Sequence, residues 1–269
     1  MPMLLLTANP NLSIKRDALK RAPYVKRYAL QEKTLMNYFF LALVAFTMTS
    51  CATQGPSGDR MPIDQVPMYG GMDRSAFPDL KTADEKLISD TTQHYGSREA
   101  ASSEFAQNGR AYYDRGDLTN AMRRFNQAWL LNPKNAEAFA GFGKVLHNQE
   151  KYCESMRMME QALNLNPPTS QGIYPDAARI TTLCAVKDKT LPSETKSELL
   201  KRSEEIYKKA EEIESNKLYF YSSWAAAYYW RGQYEQSWSM VAKVREAGGT
   251  VNEQLLRLLR EKMPEPALK

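Results

Sequence analysis

Residues 105–133 read FAQNGRAYYDRGDLTNAMRRFNQAWLLNP, and residues 139–167 read FAGFGKVLHNQEKYCESMRMMEQALNLNP. Phe105, Gly109, Ala128 and Pro133 return as Phe139, Gly143, Ala162 and Pro167, each 34 residues later. The positions between keep the same register, Tyr112 with Leu146, Ala121 with Ser155 and Phe125 with Met159. A fixed period of this length marks a unit that buries its apolar face only by stacking on its own copies. Each unit reads as two antiparallel helices. Gly109 and Gly143 are small where the helices cross and their backbones must approach, and Ala121 and Ser155 are small at the same crossing on the second helix. Large residues fill the space beside it. Pro133 and Pro167 stop the second helix, since proline lacks an N–H and disfavours helical geometry in the residue before it.

Working outward, the pattern returns at 218–251, where Tyr221, Trp224, Ala225, Tyr228, Gly232, Tyr234 and Ser237 fall in register and Gly249 replaces the proline. Between the clear units, Ser193–Glu214 predicts one long helix, with Tyr207 and Ala210 in register as the second helix of a degenerate unit at 184–217. The first helix of that unit does not fit. Asp176–Val186 stands in for it, after an insertion over 170–183 approached through Pro167, Pro168 and Pro175. Thr82–Glu85 and Thr250–Glu253 have the Thr-x-x-Glu form of a capping box. The first would open a short helix ahead of the repeats, the second a terminal helix over 252–262. In that last helix Leu255, Leu256, Leu258 and Leu259 make one apolar face, as expected of a cap that shields the end of an array.

The spacing and residue types resemble the tetratricopeptide repeat, with repeats at 102–135, 136–169, degenerate 184–217 and 218–251 within a domain over 82–269. The resemblance implies an all-α fold, an antiparallel helical superhelix of about eight to ten helices closed by a C-terminal cap. It also implies a concave groove lined by the first helices and used for protein or peptide partners. Carried over position by position, the groove takes Arg110, Tyr113 and Asp114 from the first repeat and Lys144, His147 and Asn148 from the second. The last repeat adds Tyr219, Ser222, Tyr229 and Trp230. Arg110 and Lys144, at equivalent positions, could receive a carboxylate from the partner; ordinary solvated side chains are the alternative. The aromatic group Trp224, Tyr228 and Trp238 sits at packing positions and reads as core. From Tyr219 to Pro266 the chain also resembles uncharacterised bacterial repeat lipoproteins, which brings no activity with it.

The net charge of +5 first suggests nucleic acid, but its distribution argues against that reading once residues 1–50 are removed. Residues 1–50 hold seven bases and two acids, leaving 29 of each in 51–269. The basic segment runs into an uncharged stretch, Tyr38–Met48, then Thr49-Ser50-Cys51. That stretch suits the apolar region of an export signal and is too short to span a bilayer. Small residues before a cysteine resemble the cleavage box of bacterial lipoproteins, with Met48 where Leu is usual, and the resemblance implies lipidation of Cys51. Met1 and Met36 are both candidate starts. Residues 51–81, with Gly-Pro, Met-Pro, Val-Pro and Gly-Gly, read as a flexible tether. Ala52 after the cysteine agrees with the family rule for export to the outer membrane. The expected protein is therefore an outer-membrane, periplasm-facing lipoprotein that scaffolds cell-envelope components in assembly or secretion. Two alternatives stand: a regulator that docks peptidoglycan hydrolases, and a cytosolic regulatory protein that retains residues 1–50.

No pattern of catalysis emerges. Neither metal-ligand spacing nor a hydrolase nucleophile motif is present, so no metal, cofactor or small-molecule substrate is implied. His147 and Cys153 fall on different helices of one repeat, which argues against a thiol–imidazole pair. Cys153 opens one helix and Cys184 lies near the end of the next, antiparallel one. That arrangement points to a disulfide in an oxidising compartment, with two buried free thiols as the alternative.

Overall fold

The computed structural model describes residues 62–266. Among these there is no strand, and ten α-helices follow three 3-10 turns at Ile63–Gln65, Pro67–Gly71 and Arg74–Ala76. The helices are α1 (Pro78–Tyr95), α2 (Arg98–Asp114), α3 (Leu118–Leu131), α4 (Ala136–Asn148) and α5 (Tyr152–Asn164). They continue with α6 (Ile173–Lys187), α7 (Ser193–Ile213), α8 (Lys217–Trp230), α9 (Tyr234–Glu246) and α10 (Glu253–Lys262). Successive helices from α2 to α9 pack as four hairpins, α1 lies on α2, and α10 closes the far end against α9. Short polar residues set the starts: Ser97, Asp117, Asn135 and Asn216 each accept a backbone N–H in the first turn that follows. The two expected capping boxes are displaced. Pro78, not Thr82, opens α1, because proline is preset for the first helical position. Asn252, not Thr250, caps α10 by accepting from the N–H groups of Gln254 and Leu255.

Close helix approach is paid for in side-chain size at two glycines. A Cβ on Gly109 would stand 2.7 Å from the Phe125 ring, and one on Gly141 only 2.3 Å from it. Phe125, 3% exposed, is thus wedged against the first helix of its own hairpin and against that of the next. A second device repeats along the array. Ser155 Oγ donates to the Gly143 carbonyl at 2.6 Å, Ser203 Oγ to Ala178 at 2.7 Å, and Ser237 Oγ to Ala225 at 2.7 Å. Each bond joins the small residue of one helix to its partner across the crossing, so it fixes the register of each hairpin.

That register corrects the third repeat. Ala178 is its crossing residue, 35 residues after Gly143 and close to the regular spacing. From Ala178 to Ser203 the interval is 25 residues, against 12 in the second and fourth hairpins. The third repeat therefore starts with α6 at Ile173 rather than at 184, and only one residue beyond the period precedes it. The extra chain lies at the tip of the hairpin, in the longer ends of α6 and α7 and the turn between them. Inside, Tyr207 stacks on Trp224 at 5.1 Å and Trp224 on Tyr228 at 5.6 Å, with the Tyr207 hydroxyl bonded to Ser223. Trp224, Tyr228 and Trp238 are core, and Leu255, Leu256 and Leu259 of α10 seal them while Leu258 stays half-exposed.

The tether expected over 51–81 does not hold for residues 62–81. From Pro62 the chain runs as a strap over α3, then α1 begins at Pro78. Asn126, buried in α3, accepts from the Tyr69 N–H at 3.2 Å and donates to the carbonyls of Asp64 and Val66 at 2.9 Å each. Arg123 pairs with Asp64 at 2.5 Å. The Tyr69 ring is buried beneath the Arg74 guanidinium, 4.1 Å above its centroid, and Arg74 is itself paired to Asp84 of α1. Composition alone hid this, because the strap has no periodicity and is ordered by contacts distant in sequence. The export segment 1–50, Cys51 and residues 52–61 lie outside the described residues. Among the described residues no helix is long and apolar enough to cross a membrane.

Candidate binding groove

The first helices of the hairpins, α2, α4, α6 and α8, carry a connected set of polar side chains. With Ala178 taken as the crossing residue of α6, Arg110, Lys144 and Arg179 occupy one equivalent position in three successive repeats. Each is held by a carboxylate. Arg110 Nη2 meets Glu137 Oε2 at 2.6 Å and Gln171 Oε1 at 2.9 Å. Lys144 Nζ meets Asp176 Oδ2 at 3.1 Å, and Arg179 Nη2 meets Asp176 Oδ1 at 2.9 Å. The Tyr219 hydroxyl donates to the same Asp176 Oδ1 at 2.5 Å. Asp176 is thus the hub that ties α4, α6 and α8 together.

Its ionisation follows from these partners. Burial by itself would raise the Asp176 carboxyl, but Lys144, Arg179 and the Tyr219 hydroxyl outweigh it and hold the group at about 2. Arg179 goes on to donate from Nη1 to His147 Nε2 at 3.0 Å, which makes that nitrogen the acceptor. The ring proton then sits on Nδ1, facing Asn148 Oδ1 at 3.3 Å. Burial, with the Arg179 charge beside it, pushes His147 down to about 4. Tyr113 reaches the same Asn148 Oδ1 at a long 3.5 Å, and its hydroxyl is pushed up to about 12 by burial. His147 is therefore a neutral wedge in the groove wall, with neither a thiol nor a metal partner. Cys153 is instead joined to Cys184 in a disulfide, Cα to Cα 4.7 Å, which ties the start of α5 to the end of α6. Among the described residues, no group of three or more His, Cys, Asp or Glu is placed to hold a metal.

The other residues assigned to the groove fall into two kinds. Tyr229 and Trp230 stand half-buried at the end of α8, 5.3 Å apart, and Lys187 from α6 covers the Trp230 ring at 3.7 Å. Asp114 is exposed at the end of α2 and Ser222 half-buried on α8, and neither takes part in the network around Asp176. Arg110, Glu137, Lys144 and Gln171 rim a shallow recess of about 20 Å³, floored by Phe125 and Ile173. That is room for about one water, so the rim is a shallow contact surface and not a ligand cavity. Asp176, Arg179, Glu137 and Gln171 were missed by sequence reasoning. The signal for Arg179 was the near-regular spacing of α6, which the assumed insertion concealed.

Against known proteins, a family model described as TPR repeat matches residues 109–150, from α2 through α4. No curated protein matches the chain.

Proposed function

We propose that this member of the tetratricopeptide-repeat family uses its concave groove to hold a protein or peptide partner while tethered to a membrane. Repeats of this family serve as protein-interaction scaffolds and are typically non-catalytic. The observation that carries the groove reading is the ladder Arg110, Lys144 and Arg179 along the first helices. Because Arg110 keeps about a third of its side chain exposed while paired to Glu137, a partner's polar or acidic group can join it from the groove side. Lys144 and Arg179 are committed to the buried Asp176 and act chiefly to hold the wall in place.

The anchoring and the compartment rest on the sequence. An apolar stretch of export-signal length followed by Thr49-Ser50-Cys51, with all the net charge upstream of it, supports lipidation of Cys51. The protein is then an outer-membrane lipoprotein facing the periplasm, docking cell-envelope components during assembly or secretion. Labelling with radioactive palmitate tests the anchor: the label should enter the wild type and be lost in Cys51→Ala. Unlabelled protein retaining its basic N-terminus overturns it in favour of a cytosolic scaffold. Crosslinked envelopes test the groove: Arg110→Gln, which keeps a donor beside Glu137, should lose captured partners while the protein stays folded, and unchanged capture refutes the assignment. Captured wall hydrolases, in place of secretion or pilus subunits, select the regulatory alternative.

A further inference from the structure

We infer that the face of α3 around Asn126 is a second peptide-binding site, distinct from the groove, which the chain fills in cis with its own residues 62–71. Asn126 is fully buried, yet its amide hydrogen bonds all go to the strap backbone, to Asp64, Val66 and Tyr69. A buried amide without partners is costly, so this residue matches the strap and would be unfavourable in α3 without it. The repeat itself does not demand it: the equivalent position one repeat later is Glu160, half-buried on α5.

The strap, for its part, does not hold its own shape. Met68, Tyr69 and Gly70 have φ of 52°, 51° and 66°, a left-handed run that L residues avoid unless their surroundings impose it. The surroundings here are α3 and α1. Arg123 reads the Asp64 carboxylate, and Asp84 clamps Arg74 over the buried Tyr69 ring. Backbone capture by one amide, side-chain selection by two flanking contacts, and a ligand shaped by the site are the elements of peptide recognition. The ligand class is a short segment with an acidic residue five positions before a tyrosine, a proline between them, and two glycines after it, as in Asp64–Gly71. Pro62 and Pro67 lower the entropy of ordering such a segment. Covalent attachment gives the strap a high effective concentration, so the site stays shut to weaker ligands of the same kind. This site is independent of both the groove and the lipid anchor.

The test uses the full chain with residues 62–71 deleted and a fluorescein-labelled synthetic peptide of residues 62–72, followed by anisotropy. The deletion variant should bind saturably, and Asn126→Ala in the same background should weaken binding by about tenfold or more. The intact chain, closed in cis, should bind the peptide about tenfold or more weakly than the deletion variant. A folded deletion variant that does not bind, or that binds equally well with Asn126→Ala, overturns the proposal. If the deletion unfolds the array, hydrogen exchange on the intact chain decides. The Tyr69 amide should exchange by a local opening that Asn126→Ala speeds about tenfold. Exchange of Tyr69 only together with core amides such as Phe142 makes the strap part of the fold and sinks the idea.

Discussion

Acidification from pH 7 to pH 5 should destabilise the array chiefly through His147. The imidazole accepts a hydrogen bond from Arg179 at 3.0 Å and lies in a wall where burial and that guanidinium push it down to about 4. In the unfolded chain it returns to its ordinary value near 6.5. The sign follows from proton uptake: as pH falls below 6.5 the unfolded state binds a proton that the folded state refuses until about 4. The stabilisation is complete above pH 6.5 and drains away below it. Linkage puts the loss at about 2 kcal/mol between pH 7 and 5. Asp176, held at about 2, stays ionised throughout, so the ion pairs around it persist. Glu214, which burial pushes up, works with opposite sign but is common to any pair of variants compared. The assay is urea unfolding at both pH values, wild type against His147→Gln, since glutamine can still accept from Arg179. The wild type should lose about 2 kcal/mol more than the variant on acidification. Equal losses in the two proteins refute the assignment of a buried, neutral His147.

Two further outcomes follow from the same wall. Asp176→Asn leaves the half-buried Lys144 and Arg179 without their counter-charge and should cost about 3 kcal/mol in urea unfolding at pH 7; a loss below about 1 kcal/mol would mean the hub is dispensable. Reduction of Cys153–Cys184, which are 31 residues apart, should cost about 4 kcal/mol. Dithiothreitol should therefore lower the melting temperature of the wild type and leave the Cys153→Ser, Cys184→Ser double variant unmoved; an unmoved wild type rejects the cross-link.

The hairpin fold could be read from the sequence because its signals are local and repeated. Gly109 with Phe125, and Gly143 with Met159, are crossing pairs whose sizes are constrained in every copy. The groove was only partly legible. Positions 9, 12 and 13 of the two good repeats led directly to Arg110, Lys144, His147 and Asn148. They could not show that Lys144 is spoken for by Asp176, since Asp176 belongs to a helix whose register had been misjudged. A polar residue announces its type in the sequence but not its partner. The strap was illegible for a different reason: Asp64 and Asn126 are 62 positions apart, and no periodicity links them.

The lengthened tip of the third hairpin has a consequence for how the array tolerates change. In a stack where each unit touches only its neighbours, an insertion between units would rotate everything beyond it. Here the added residues lie past the Ser203–Ala178 crossing, and the step from Gly143 to Ala178 stays near that from Gly109 to Gly143. The three cations keep their rung-to-rung phase, and the surplus length is taken up between Ala178 and Ser203. The exposed turn at Lys189 and Thr190, beyond the Cys153–Cys184 bond and Lys187, is thus the place where a graft or a label can be added without detuning the helices that line the groove.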